Sequence, residues 1–330
     1  MVEVLNCDIG RGCGNKRKKA VNRIFTSLKS NIPDICYIES PTGPMMHNRD
    51  FKLIKYLHNH NIPTGYFYRD CYRKFHDLFP RRKGFINSLK ELYLDWWQLR
   101  TDAALKKVDI IYIPSLQGKR YFPPFKDVRA LPPAGEDRLP KKKEFTHSLI
   151  YVGGISELYG FNILLESFEI VHTQILDAKL LCCCRKEDFE NFDHRLKTAN
   201  WLEIHHVSST QLEPFYERAV AGLIAKRTDF VYNQIAVSVK LFEYLSYGLP
   251  IVTTSSAATD PLIIDNGIGI VTPSTPEGIA NGIVAMLTDK VKYLEYCNNV
   301  KKTLLESDLW VHRVDQICDD LMSLNSKRAQ

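Results

Sequence analysis

Along the second half of the chain, short continuous apolar runs alternate with longer stretches whose apolar residues recur every three or four positions. Ser148–Val152, Ala178–Cys184, Trp201–His205, Ala219–Ala225, Ile251–Thr254 and Ile268–Val271 are the runs, and they read as strands buried on both faces. Phe161–His172, Lys186–Lys197, Thr210–Glu217 and Val239–Tyr247 read as helices between them, with residues 226–237 as a loop. A further helix through Leu287 opens on Ser274, Thr275, Pro276 and Glu277, a capping residue with Pro in the first turn. Strands alternating with helices at this spacing specify a parallel sheet covered on both faces.

The first half repeats the pattern with longer interruptions. Val2–Cys7, Asp34–Ile38, Pro63–Tyr68, Val108–Ile113 and Asp127–Leu131 predict strands, and Lys16–Lys29, Arg49–His58 and Phe85–Leu105 predict helices. The Pro- and charge-rich run Leu131–Lys143 predicts an interdomain linker. The expected fold is therefore α/β, with two Rossmann-like, doubly wound parallel-sheet domains facing a central cleft, where open α/β sheets bind ligands. The expected boundaries are residues 1–145 and 146–307, with a terminal helix at about 308–325 packing back on the first domain.

At 330 residues, two domains are the natural expectation, and 45% apolar with 25% charged residues is globular composition. Net charge divides unevenly. Residues 1–145 carry 28 Lys and Arg against 15 Asp and Glu, whereas residues 146–330 carry 16 against 23. Such asymmetry predicts different partners for the two halves, with the first drawn to an anionic surface. The nine cysteines include no CxxC and no zinc spacing, and Cys182–Cys184 read as small apolar residues of a buried strand in a reduced protein. No signal-peptide pattern and no apolar run of spanning length is present. The expected location is the cytoplasm, with peripheral contact at the inner face of the cell membrane as an open extension.

The segment VKLFEYLSYGLPIVTT, residues 239–254, concentrates the chemistry. A short helix stopped by Gly248 and Pro250 leads into a buried strand. Lys240 and Glu243, three residues apart, share one face of its first turn. A cation, a carboxylate and free backbone N–H groups then meet at the C-terminal edge of a parallel sheet, a corner suited to phosphates and sugar hydroxyls.

With SLIYVGGISELYGFNILLESF, WLEIHHVSSTQLEPFYERAVAGLIAKR and SDLWVHRV in the same order and spacing, residues 148–314 resemble the retaining GT-B glycosyltransferases grouped as family 4. Upstream, DICYIESP and IPTGYFYRDCYRKF are similar to the acceptor domain of bacterial surface-polysaccharide members. The resemblance implies transfer of a hexosyl-type group from a nucleotide sugar, UDP- rather than GDP-linked, to a saccharide acceptor, with no further cofactor. It implies donor binding by Gly12, Gly14, Gly153, Gly154, Lys226, Arg227, Asn233, Lys240, Leu241 and Glu243. Three family positions differ. Gly154 and Tyr159 stand where the family carries Arg and Lys, and Ile235 stands where it carries the first of two glutamates spaced eight apart. Lys240, with Lys226 or Arg227 behind it, is then expected to neutralise the departing diphosphate. No DxD pair occurs, which favours charge stabilisation without a metal ion.

Arg69 and Asp70 close a predicted strand at the cleft edge and are expected to hold acceptor or donor hydroxyls, with Asp70 and Lys240 as the catalytic pair. An ion pair of Arg69 with a carboxylate is the competing reading. His205 and His206 end a strand and read mainly as structural. The segment 72–100 interleaves Arg and Lys with Phe, Tyr and Trp, leaving three readings open: core packing, contact with an anionic membrane and single-stranded nucleic acid. An acceptor on a polyprenyl diphosphate would suit the basic first half. The alternatives are a catalytically weak partner subunit of the same fold and, less favoured, a nucleic-acid-binding protein or a GT-B epimerase or phosphorylase.

Overall fold

Side-chain periodicity turns into layers in each of two units, which the computed structural model describes over residues 14–39, 43–69, 72–76, 78–81, 83–140, 144–156 and 159–328. One unit comprises residues 1–131 and 314–330, the other residues 132–313. In the first, α1 (Gly14–Ser30), β1 (Cys36–Glu39), α2 (Asn48–Asn59), β2 (Thr64–Phe67), α3 (Phe85–Leu105), β3 (Ile110–Ile113) and β4 (Val128–Ala130) follow one another. The strands form a parallel sheet in the order β1-β2-β3-β4. The predicted strand Val2–Cys7 lies outside the described residues.

The second unit runs through β5 (Ser148–Val152), α4 (Phe161–Gln174), β6 (Lys179–Cys183), α5 (Lys186–Glu190), β7 (Leu202–His205), α6 (Glu213–Arg218), β8 (Ala221–Ile224), α7 (Val231–Ile235), α8 (Val239–Ser246), β9 (Ile251–Thr254), α9 (Asp260–Ile264), β10 (Gly269–Thr272), α10 (Pro276–Thr288) and α11 (Lys290–Thr303). Its six parallel strands lie in the order β10-β9-β8-β5-β6-β7. The order reverses at the β5–β8 boundary, the switch point where such sheets bind ligands beyond their strand C-termini. Apolar residues fill both faces, with Leu149, Tyr151, Leu164 and Phe168 in one cluster and Ile150, Leu181, Phe242 and Leu245 in the other.

Two predicted elements need correction. The helix expected over Lys186–Lys197 ends at Glu190. Asn191 turns its side-chain amide back onto the Glu187 carbonyl at 2.8 Å, and a turn instead sends Phe192 and Leu196 into the core. The expected loop 226–237 contains α7.

The predicted linker is also more structured than its composition implies. Over residues 132–140 it lies against its own unit. Gly135 N donates to Asp308 O at 2.7 Å, and Glu136 N donates to Ser246 Oγ at 2.9 Å. Prolines leave few donors to satisfy, so a handful of such bonds ties the segment down. Arg313 bonds the Pro132 carbonyl at 3.0 Å and the Asp308 carboxylate at 2.7 Å, fastening both ends of the unit together.

The last helix, α12 (Trp310–Arg328), crosses into the first unit from Val314. Leu321 is fully buried there with Ile110, Tyr112 and Leu131. Asp320 accepts from the Tyr112 hydroxyl at 3.0 Å and pairs with Arg129. Gly65 is small for a reason: a Cβ there would lie 2.8 Å from the Tyr112 ring.

At the switch point β5 and β8 pair only through Leu149–Ala221 and Ile150–Gly222, then separate. Tyr244 of α8 fills the gap. Its ring lies over Gly222, where a Cβ would approach to 2.2 Å, and its hydroxyl accepts from Val152 N (3.1 Å) and donates to Leu223 O (3.2 Å). One buried hydroxyl thus replaces the missing rung and fixes α8 against the sheet. Tyr244→Phe leaves a buried donor and acceptor without this partner, so we expect a loss of about 1–3 kcal/mol, read as an earlier unfolding transition of this unit in urea.

Candidate functional site

The loops leaving the C-termini of β5, β8 and β10 enclose a cavity of about 350 Å³ lined by Gly160, Asn162, Ile163, Arg227, Thr228, Asp229 and Ser274. Backbone crowding shapes it. Gly160 adopts φ +68°, and a Cβ there would meet the Ala225 carbonyl oxygen at 2.4 Å. Asn162 Oδ1 is buried and makes no hydrogen bond among the described residues, so it offers an acceptor to an incoming hydroxyl or N–H.

Lys240 sits one residue inside α8, and Ser238 before it makes no side-chain cap bond. The ammonium lies 4.0 Å from the centroid of the Tyr151 ring and 5.8 Å from that of Tyr159. Its stem crosses Gly153, whose φ is +125° and where a Cβ would come within 2.7 Å of Lys240 Cε. The glycine turn therefore serves as a floor for the lysine. Burial, reinforced by the nearby Lys226 charge, pulls the Lys240 pKa down to about 7.

Lys226 lies in the loop after β8. Its carbonyl accepts from Thr254 Oγ1 at 2.9 Å and Ser274 Oγ at 3.0 Å, while its ammonium donates to Ala236 O at 2.9 Å. Burial brings its pKa down to about 8. Two crowded cations thus share the switch point. Glu243, one turn along α8, is the more exposed; the protein around its carboxyl raises its pKa and Lys240 opposes that rise. Such a constellation gains most from an anion that brings its own charge.

The other predicted donor residues take different places. Arg227 is held by Asp229 at 3.0 and 2.5 Å and lies over Phe230. Asn233 is buried, its amide donating to the Arg227 carbonyl at 2.8 Å, so it supports the loop. The Leu241 side chain is core, and its N–H bonds Ser238 O. Gly154 carries the Tyr159 ring, within 2.5 Å of any Cβ added there, and accepts the Tyr151 hydroxyl at 2.7 Å. Aromatic surface therefore occupies the positions of the family Arg and Lys. Ile235 is buried.

In the other unit, Gly14 opens α1, and Arg69 is paired with Glu39 at 2.8 Å. Gly12 and Asp70 lie outside the described residues. His206 Nδ1 lies 3.0 Å from the Cys184 carbonyl. The sequence reading missed Tyr151, Asn162 and Tyr244. A Tyr inside an apolar strand or helix is the available signal, since a buried hydroxyl needs a partner.

Residues 146–289 match the family model for glycosyl transferases of group 1. No curated protein matches the sequence. Among solved structures, sucrose-phosphate synthase (tll1590) from Thermosynechococcus elongatus is similar with a TM-score of 0.61 at 13% identity, over 97% of this chain and 81% of that one. WaaG, a glycosyltransferase involved in lipopolysaccharide biosynthesis, aligns with a TM-score of 0.57 at 16% identity, over 94% and 84%. Anabaena Alr3699/HepE in complex with UDP gives 0.62 at 12% identity, over 92% and 82%. At these identities the structures speak to the fold, which is GT-B.

The lysine geometry has a pH consequence. Lys240 has a folded pKa of about 7 against an ordinary 10.5, so above pH 7 the unfolded chain binds more protons at this position than the folded one. Its contribution to stability therefore rises with pH from about 7 toward 10.5. We expect Lys240→Met to flatten the increase in unfolding free energy between pH 7 and pH 9, measured by urea denaturation beside the parent protein.

Proposed function

From a GT-B glycosyltransferase whose residues 146–289 form a group 1 domain, we propose an enzyme that moves a hexosyl group from a UDP-sugar to a saccharide acceptor. The acceptor is carried on a polyprenyl diphosphate, the anomeric configuration is retained, and no metal ion is required. The setting is cell-surface polysaccharide synthesis at the cytoplasmic face of the membrane, with peripheral membrane contact through the basic unit. The observation that carries the donor assignment is the meeting of Lys226 and Lys240 at the β5–β8 switch point beside Glu243. The basic first half supports an anionic carrier.

In this reading, the bond between the anomeric carbon and the diphosphate oxygen breaks as the acceptor oxygen bonds to that carbon. The acceptor proton passes to the departing phosphate. Lys240, protonated as the diphosphate arrives, stabilises the growing negative charge, and Lys226 supports it from the loop after β8. Glu243 accepts from the ribose hydroxyls, and Asn162 Oδ1 accepts from the donor. Arg69 and Asp70 hold acceptor or donor hydroxyls in the other unit.

A partner subunit with weak catalysis is the second reading. It is favoured by Tyr159 over Gly154 and by buried Ile235 where the family has cation and carboxylate.

Calorimetric titration separates them. UDP should bind with proton uptake above pH 7, affinity should fall as pH rises from 7 to 9, and Lys240→Ala should weaken it by about tenfold or more. Lys240→Arg should remove the pH dependence, because guanidinium stays charged. UDP-sugar turnover that survives a chelator supports the enzyme. An intact fold with no nucleotide binding favours the subunit reading, and equal affinity in Lys240→Ala removes the site assignment.

A further inference from the structure

α3 is apolar on two sides. Trp97, Thr101 and Leu105 are buried on the inner side, and Trp97 stacks on Phe51 of α2 with centroids 5.9 Å apart. The outer side carries Phe85, Leu89, Leu92, Trp96 and Leu99, flanked by Ile86 and Tyr93, with exposures from 49% at Trp96 to 81% at Phe85. At about 100° per residue these seven positions fall within an arc of roughly 140°. A helix facing only water places polar residues there.

Charge around this stripe is sorted. Glu91 and Asp95 lie along one flank and are neutralised, by Arg73 at 2.9 and 2.6 Å and, for Asp95, also by Arg81 at 3.1 Å. Lys83 and Lys90 are exposed toward one end, and Lys106 and Lys107 just beyond the other. Arg100 lies over the Trp96 and Trp97 rings at 4.6 and 5.1 Å. The stripe runs for about 21 Å, short of a bilayer crossing, and among the described residues no helix is long and apolar enough to cross a membrane.

We propose that the outer stripe of α3 is a membrane-docking surface, seating the helix parallel to the plane of an anionic bilayer with its rings at headgroup depth. This rests on the membrane contact proposed above and narrows it from the segment 72–100 to one helix face. Phe75 and Trp97 are buried and Arg73 is paired, so they belong to the fold. Charge selects the occupant. A second copy seated on this stripe brings lysine-bearing ends against lysine-bearing ends, whereas anionic headgroups meet both ends favourably.

The test is flotation of the full chain with vesicles of phosphatidylcholine alone and of phosphatidylcholine and phosphatidylglycerol in equal parts. The parent protein should float with the anionic vesicles. Leu89→Glu with Trp96→Glu should reduce the bound fraction about tenfold or more, and Leu176→Glu, an exposed apolar position elsewhere, should not. Lys83→Glu with Lys90→Glu keeps the stripe and should abolish the preference for anionic lipid. Circular dichroism checks that each variant folds. No flotation of the parent, or flotation unchanged by both double variants, overturns the proposal; so does a dimer that Leu89→Glu converts to monomer without any lipid binding. Flotation together with undiminished transfer to a water-soluble acceptor in the absence of vesicles sustains the docking surface and removes the lipid-linked acceptor instead.

Discussion

The six-stranded unit depends on a hydroxyl group where a backbone rung is missing. β5 and β8 must diverge after Ile150 and Gly222 for a ligand to approach between their ends, yet divergence strands an N–H on one strand and a carbonyl on the other. Tyr244 satisfies both and carries α8 with it. Gly222 leaves room for the ring. Opening the sheet and positioning the lysine-bearing helix are thus one event, and neither is available without the other.

What this corner then holds is a concentration of positive charge with little water around it. Lys240 rests on aromatic faces and a bare glycine, and Lys226 is fastened through its own carbonyl. Crowding makes each ammonium easier to discharge. An arriving polyanion reverses that preference, since its charge replaces the missing solvent. Beside this corner the Tyr159 ring covers Gly154.

Much of this was legible from residue order. Ser148–Val152 and Ile251–Thr254 matched the observed strands, and Phe85–Leu105 the observed helix, because continuous apolar runs and strong periodicity leave few alternatives. The glycine turn at Gly153 and Lys240, far apart in the chain, lie side by side in the structure. What stayed hidden was tertiary. Nothing local distinguishes Tyr244 from any other buried aromatic until β5 and β8 are known to part. The amide of Asn233 braces a loop through the Arg227 carbonyl, a role that residue type alone does not reveal, since an amide satisfies backbone or substrate equally well. Asn191 ended a helix early through a local bond that periodicity does not encode. The aromatic, basic stretch 72–100 divided into buried and outward residues only once the helix had an inside.

The return of α12 bears on the order in which the protein is made. The first unit is the first to emerge from the ribosome, yet its sheet waits for Leu321 and Asp320, which follow the whole of the other unit. Synthesis therefore finishes the later unit first, while the earlier one stays open with Ile110 and Tyr112 uncovered. For that interval the nascent chain exposes an apolar sheet face to its surroundings, a state in which holdase chaperones have something to grip.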